Sequence, residues 1–212
     1  MDIKIFNFKS DPPLTPFAPE WDYSIGLTNV SHLINCKKIA KIILGKEKDI
    51  ISKYPVAQSS SIDGYTNLGP HSLTSRYRYY NLLDWPEKEI QKLKPIIKDF
   101  HDEFLKTLNL KIPSSIAIKS WANVMRTGEK ITAHIHTVKP HAYLSGHLNI
   151  QVEKTSTFYV NAVNQLNKPE VQKIKNTPGE ITIFPMCLPH YTNKHVGSKE
   201  RITIAFDISL KT

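Results

Sequence analysis

Hydrophobic and polar positions along this chain repeat with two different periods, and the change falls near Pro113. Upstream, Val30, Leu33, Ile34, Ile39, Ile42 and Ile43 recur at helical spacing and predict a helix over about 31–44, with Gly45 as its stop. Ile90, Leu93, Ile97, Phe100, Phe104 and Leu108 predict the buried stripe of a second helix. It begins near Pro86, just after Asp84, and Pro95 is expected to kink or split it. Between the two helices the run SLTSRYRYYNLL alternates as a strand does. The first 27 residues hold four prolines and read as an edge strand, IKIFNF, followed by a loop.

After Pro113 the period shortens to two. SIAIKSWANVM, SGHLNIQV, TFYVNAV, GEITIFP and RITIAFDISL read as short strands separated by turns, which predicts a sandwich or barrel rather than a parallel α/β sheet. The expected fold class is therefore mainly β with N-terminal helices: a jelly roll backed by those helices. One domain over 1–212 is expected, with 1–112 as a helical and extended support region and 113–212 as the jelly-roll core. In YLSGHLNIQV, Ser145, His147, Asn149 and Gln151 fall on one strand face and Leu144, Leu148, Ile150 and Val152 on the other. The polar row either meets water or, if helices cover the apolar side, lines an internal cavity.

Composition adds bounds. The chain has 212 residues, 40% of them hydrophobic, enough for the core of one domain. Two cysteines, Cys36 and Cys187, make no disulfide framework and point to a reducing compartment. No apolar run matches a signal peptide or a membrane span, so a cytoplasmic location (host cytoplasm for a viral protein) and no membrane partner are expected. The formal charge is +9, with Lys and Arg outnumbering Asp and Glu by 13 to 6 after residue 110. That half favours an anionic partner, small carboxylates or nucleic acid, unless the lysines are simply a solvated surface.

The same half contains TAHIHTVKPH. On a strand His134 and His136 share a face, and His190 stands at the end of a distant apolar run. Two close imidazoles and one distant imidazole form the pattern of an open metal site. Alone the pattern is weak among nine histidines, where a satisfied core histidine is the competing reading. The alternation of RITIAFDISL puts Arg201 and Thr203 on one face. A buried guanidinium needs an anion, and Arg with a hydroxyl two residues on suits a carboxylate. A metal site and a carboxylate clamp in one pocket fit a dicarboxylate that chelates the metal at one end, as 2-oxoglutarate does.

The residues Trp121 and Asn123, His134 and His136, Ser145 and Gly146, Pro178 and Gly179, Phe184 and Pro185, His190, and Arg201, Ile202, Thr203 and Phe206 form an ordered series. In it the C-terminal hundred residues resemble the iron(II)/2-oxoglutarate-dependent oxygenases, closest to a family of bacteria and marine phages. The resemblance implies a double-stranded β-helix, iron(II) as cofactor and 2-oxoglutarate as co-substrate. It also implies an oxygenase that hydroxylates a C–H bond with release of succinate and CO2. It assigns the metal to His134, His136 and His190, and co-substrate contacts to Arg201, Thr203, Asn123 and Asn149. This chain departs from the H-x-D/E…H pattern of those oxygenases by having His136 where a carboxylate is usual. His141 reads as a loop histidine or as a replacement for His136, and Asp207 shares the face of Arg201. Asn149 stands where relatives tend to have Tyr.

Two other readings stay open. A three-histidine zinc centre would activate water for hydrolysis or hydration, and leaves Arg201 and Thr203 without a task. A basic jelly-roll module without catalysis would bind nucleic acid, with Arg76, Tyr77, Arg78 and Tyr79 stacking bases or holding phosphate; the same run also reads as a strand with a cationic rim. Trp121, Phe184 and Phe206 read as core packing. The substrate has no motif, and a small molecule, a protein side chain and a nucleobase all remain open.

Overall fold

A computed structural model describes residues 1–56, 66–161 and 170–211. Among these residues nine strands form two sheets. The larger has the order β1 (Lys4–Phe8), β2 (Tyr23–Asn29), β7 (Glu180–Pro185), β4 (Leu144–Gln151), β9 (Arg201–Leu210), β3 (Ile116–Met125). The smaller has the order β6 (Glu170–Lys175), β5 (Ser156–Asn161), β8 (His190–Thr192), and every strand pair is antiparallel. This is the expected jelly roll, and each of the five predicted strand runs supplies one of its strands. Residues 162 and 163, which end the TFYVNAV run, lie outside the described residues.

The period-two pattern decides which way each strand faces. Leu144, Leu148, Ile150, Ile202, Ile204, Phe206 and Ile208 join a core with residues of α1 (Cys36–Lys53) and α3 (Leu93–Thr107), among them Ile39, Ile43, Ile97, Phe100 and Phe104. The helices thus cover the apolar face of the large sheet. The opposite face, with Ser145, His147, Asn149, Arg201 and Thr203, is buried too. A polar row buried on a strand needs partners: Ser145 has Asp207, His147 has Thr182 and Arg201 has Thr155.

Several local expectations change. The first helix starts at Cys36 rather than Ser31, because the Asn35 side chain accepts a hydrogen bond from the Lys38 N–H and caps it there. It runs through Gly45 to Lys53, since Ile43, Glu47 and Ile50 continue the buried stripe; a glycine costs only about 1 kcal/mol in a helix. The second helical region divides at Lys92 into α2 (Lys88–Gln91) and α3. Pro95 lies in the first turn of α3, where its missing N–H breaks no helical bond.

SLTSRYRYYNLL is not a strand. It folds into two 3-10 turns, Thr74–Arg76 and Leu82–Asp84. Arg76 is buried, donating to the Tyr54 carbonyl at 3.1 Å and to the Pro70 carbonyl. The Tyr77 ring leans on Trp121 at 5.4 Å. The run is a plug beneath the sheet that takes Arg76 and Tyr77 out of the suggested stacking platform, while Arg78 and Tyr79 stay exposed. β2 falls in the stretch expected to be a loop after the edge strand, and it contains Gly26. A β-carbon at Gly26 would come within 2.6 Å of the Phe104 ring, so the glycine lets α3 press on the sheet.

Gly146 has a similar constraint inside β4, where a β-carbon would overlap the Thr182 carbonyl oxygen and the Phe206 ring. Gly146→Ala is expected to destabilise the fold by about 2 kcal/mol or more, read as a lower urea midpoint with an unchanged slope. An unchanged midpoint would mean that β4 and β9 yield easily at this point.

Candidate metal centre

Residues 133–136 do not form the regular strand expected of them. His134 instead makes a single antiparallel bridge to His190: each donates its backbone N–H to the other's carbonyl, at 3.1 and 3.0 Å. The His136 N–H then bonds the Met186 carbonyl at 2.9 Å. Alternate residues are thereby held against one neighbouring stretch, so the same-side relation survives without a strand. On the far side β8 pairs with β5, Tyr159 opposite His190.

The three imidazoles converge. One ligand nitrogen from each lies within 4.8 Å of the others, and no other group of three or more such side chains occurs among the described residues. The His190 ring is centred 4.3 Å from His134 and 5.3 Å from His136. His141 is exposed and stands outside this group.

Each ring is also held at its back. His134 Nδ1 lies 2.9 Å from the Thr132 carbonyl oxygen, and His190 Nδ1 lies 3.0 Å from that of Leu188, in each case two residues earlier in the chain. His136 Nδ1 lies 2.5 Å from Asp207 Oδ1. With an acceptor behind every Nδ1, the proton sits there and Nε2 is the atom each ring presents to a metal. Burial keeps His190 neutral, its pKa well below the ordinary 6.5, with the neighbouring His134 and His136 adding to the effect. Neutral rings with a fixed tautomer are what a metal requires. The donor set of three nitrogens fits a borderline cation such as iron(II) or zinc.

The cavity beside the histidines has Trp121, Asn123, His147, Phe184, Arg201 and Thr203 on its wall, with about 460 Å³ of space including its solvent mouth. Arg201 is 2% exposed; its Nε donates to Thr155 Oγ1 at 3.3 Å and its Nη1 approaches Met125 Sδ at 3.1 Å. No acidic side chain among the described residues pairs with it. Burial lowers its pKa to about 10, so it stays cationic at neutral pH. A desolvated cation on a cavity wall is a socket for an anion. Asn123 Oδ1 accepts from Thr74 Oγ1 at 2.7 Å, leaving the amide NH2 to donate elsewhere.

Some residues stand elsewhere than expected. Asn149 is buried, its Oδ1 has no hydrogen-bond partner among the described residues, and it does not line the cavity. The register slips between Asn149 and Gln151, and the Asn149 carbonyl accepts from the Gly179 N–H, so the strand leaves the cavity there. Its same-face neighbour His147 lines the wall instead, 3.0 Å from Thr182 Oγ1. Thr182 also accepts from the Tyr159 hydroxyl at 3.2 Å. Trp121 and Phe184, read as core, form part of the wall as well, whereas Phe206 is core alone. The polar row of β4 was a signal for His147. Nothing in the sequence pointed to the contact between Asp207 and His136.

Residues 119–207 match the family described as "Putative 2OG-Fe(II) oxygenase". Among solved structures, a prolyl-4-hydroxylase from Pseudomonas putida superposes with TM-score 0.53 at 9% identity, over 88% of this chain and 93% of that one. A Trichoplax adhaerens prolyl hydroxylase, in complex with a hypoxia inducible factor peptide fragment, gives 0.52 at 11%, over 87% and 83%. SnoK, a non-heme alpha-ketoglutarate-dependent carbocyclase from nogalamycin biosynthesis, gives 0.53 at 8%, over 87% and 79%. Identities this low establish a shared fold. No curated protein matches the sequence.

The buried His147 generates a pH dependence. Burial, with the Arg201 charge adding to it, lowers its pKa from 6.5 to about 3. The unfolded chain binds this proton below about pH 6.5 and the folded one does not, so the stability it confers is full above that pH and falls as the solution is acidified. In urea titrations of the metal-free protein at pH 7, 6 and 5, stability should drop less steeply for His147→Gln than for wild type. The difference should approach about 1 kcal/mol per pH unit below pH 6. Parallel pH profiles would show that His147 is solvated.

Proposed function

We propose that this chain is a 2OG-Fe(II) oxygenase, as the match of residues 119–207 to that family supports, and assign roles to its residues on that reading. The reaction is oxidation of a C–H bond in an organic substrate, coupled to conversion of 2-oxoglutarate to succinate and CO2. Nε2 of His134, His136 and His190 would hold iron(II), which supplies the redox chemistry when bound. Arg201 and Thr203 would take the far carboxylate of the co-substrate, the guanidinium as a charge-assisted donor and the hydroxyl as a second one. Neutral His147 adds no competing positive charge beside Arg201. The Asn123 amide, held by Thr74, offers a donor on the same wall. Trp121 and Phe184 keep the cavity dry, which strengthens every polar contact within it.

The observation that carries this reading is the buried Arg201, without an acidic partner among the described residues, on one wall with three back-anchored imidazoles. A zinc hydrolase would use the imidazoles and leave that cation unmatched. Arg76 in its buried plug also argues against a nucleic-acid module.

Anaerobic addition of iron(II) and 2-oxoglutarate should produce the metal-to-ligand charge-transfer band, and oxygen should then release succinate. Arg201→Ala should raise the 2-oxoglutarate concentration for half-maximal band by about 100-fold, with iron affinity within about threefold of wild type. A band that forms at wild-type concentrations in the variant would overturn the carboxylate assignment.

A further inference from the structure

The three ligand rings are not anchored alike. His134 and His190 are each held by a backbone carbonyl two residues upstream, a contact any residue at 132 or 188 would provide. His136 is held by a side chain 71 residues away. Strand parity brings that side chain into position. Asp207 follows Arg201, Thr203 and Ala205 on one face of β9, and the sheet register sets it opposite Ser145 of β4. Ser145, fully buried, donates to the same Asp207 Oδ1 at 2.5 Å and lies 3.0 Å from His136 Nδ1. The carboxylate therefore has two donors fixing one oxygen behind the ring. Its side chain is 30% exposed and that of His136 is 9% exposed, so the contact faces a partly dry surrounding.

We propose that Asp207 is the positioning residue of the metal centre. Through the His136 ring, it supplies from outside the coordination sphere the negative charge that a three-histidine ligand set lacks. The Nδ1–H donates to the carboxylate, which makes Nε2 a stronger electron donor and holds the ring plane toward the other two imidazoles. A carboxylate one ring away acts more weakly than a direct ligand, yet it offsets part of the cation's charge at a position that Ser145 keeps fixed. His136 without Asp207 would be a ligand of ordinary basicity, with Ser145 Oγ alone behind its Nδ1. Ser145 thereby shares in the support, acting through Asp207.

This inference rests on the assignment of His134, His136 and His190 as metal ligands, and the test separates the two. Cobalt(II) serves as the probe, with affinity and visible d–d spectrum read by anaerobic titration of wild type, Asp207→Asn, Asp207→Ala, His136→Ala and the double variant His136→Ala/Asp207→Asn. Thermal midpoints of the metal-free proteins report on the fold. Asp207→Asn, which keeps an acceptor and removes the charge, should weaken binding about 10-fold. Asp207→Ala should weaken it by 10- to 100-fold and shift the spectrum. In the His136→Ala background, Asp207→Asn should have no further effect.

If wild type binds no cobalt, both the ligand assignment and the inference fall. If wild type binds and Asp207→Ala binds equally well, only the inference falls. If Asp207→Ala loses the metal while His136→Ala keeps it, Asp207 is itself a ligand and the positioning role is wrong. If Asp207→Asn weakens binding equally with and without His136, the effect does not pass through that ring, and the inference is again overturned.

Discussion

Three imidazole Nδ1–H groups, each donating to a fixed acceptor, are the constraint on which the site depends. A histidine ring turns about two bonds and exposes either nitrogen, so three of them near one another make no metal centre by proximity alone. Here the Thr132 and Leu188 carbonyls and the Asp207 carboxylate settle both tautomer and orientation. Each anchor has its own structural cause. The mutual bridge of His134 and His190 holds the two stretches that carry these carbonyls side by side, while the pairing of β4 with β9 fixes the carboxylate. The jelly roll therefore does more than enclose the site, since the strand register sets its coordination chemistry.

The second element of the cavity is an imbalance. Among the described residues, buried Arg201 hydrogen-bonds a hydroxyl and a thioether, at a place where a protein would ordinarily supply a carboxylate. Beside it, His147 stays uncharged through burial, and burial raises the pKa of the Tyr159 phenol, which remains protonated. The single full charge at that end of the cavity is positive. At the other end stand the three imidazoles, among which burial keeps His190 neutral. A small diacid with a chelating group at one terminus satisfies both ends, so the electrostatics select the same ligand class as the family match.

Much of this could be read from the chain, and the reasons are specific. In β4 and β9 the apolar and polar residues alternate without interruption, so the burial of Ile202, Ile204 and Leu148 and the inward turn of Arg201 followed from parity. His134, His136 and His190 could be grouped because two are close in sequence and the third ends a strongly apolar strand. Features that depend on a distant partner were not visible. The Arg76 run alternates, but its arginine finds backbone carbonyls of α1 and of the following turn, and no local pattern records that. β2 falls in the expected loop, and its Gly26 serves the packing of Phe104. Asn149 shares the polar parity of its strand but stands at the edge of the point where the register slips. Asp207 was seen to share the face of Arg201, while its contact with His136 is set by a loop whose path the sequence does not specify.

The most direct measurement is a crystal structure of the protein grown anaerobically with manganese(II), an inert stand-in for iron, and 2-oxoglutarate. The account predicts one ion bound by Nε2 of His134, His136 and His190, every Nδ1 still on its present acceptor, and the distal carboxylate against Arg201. An ion held through Nδ1, a His136 ring turned away with a carboxylate in its place, or a diacid that leaves Arg201 untouched would contradict it.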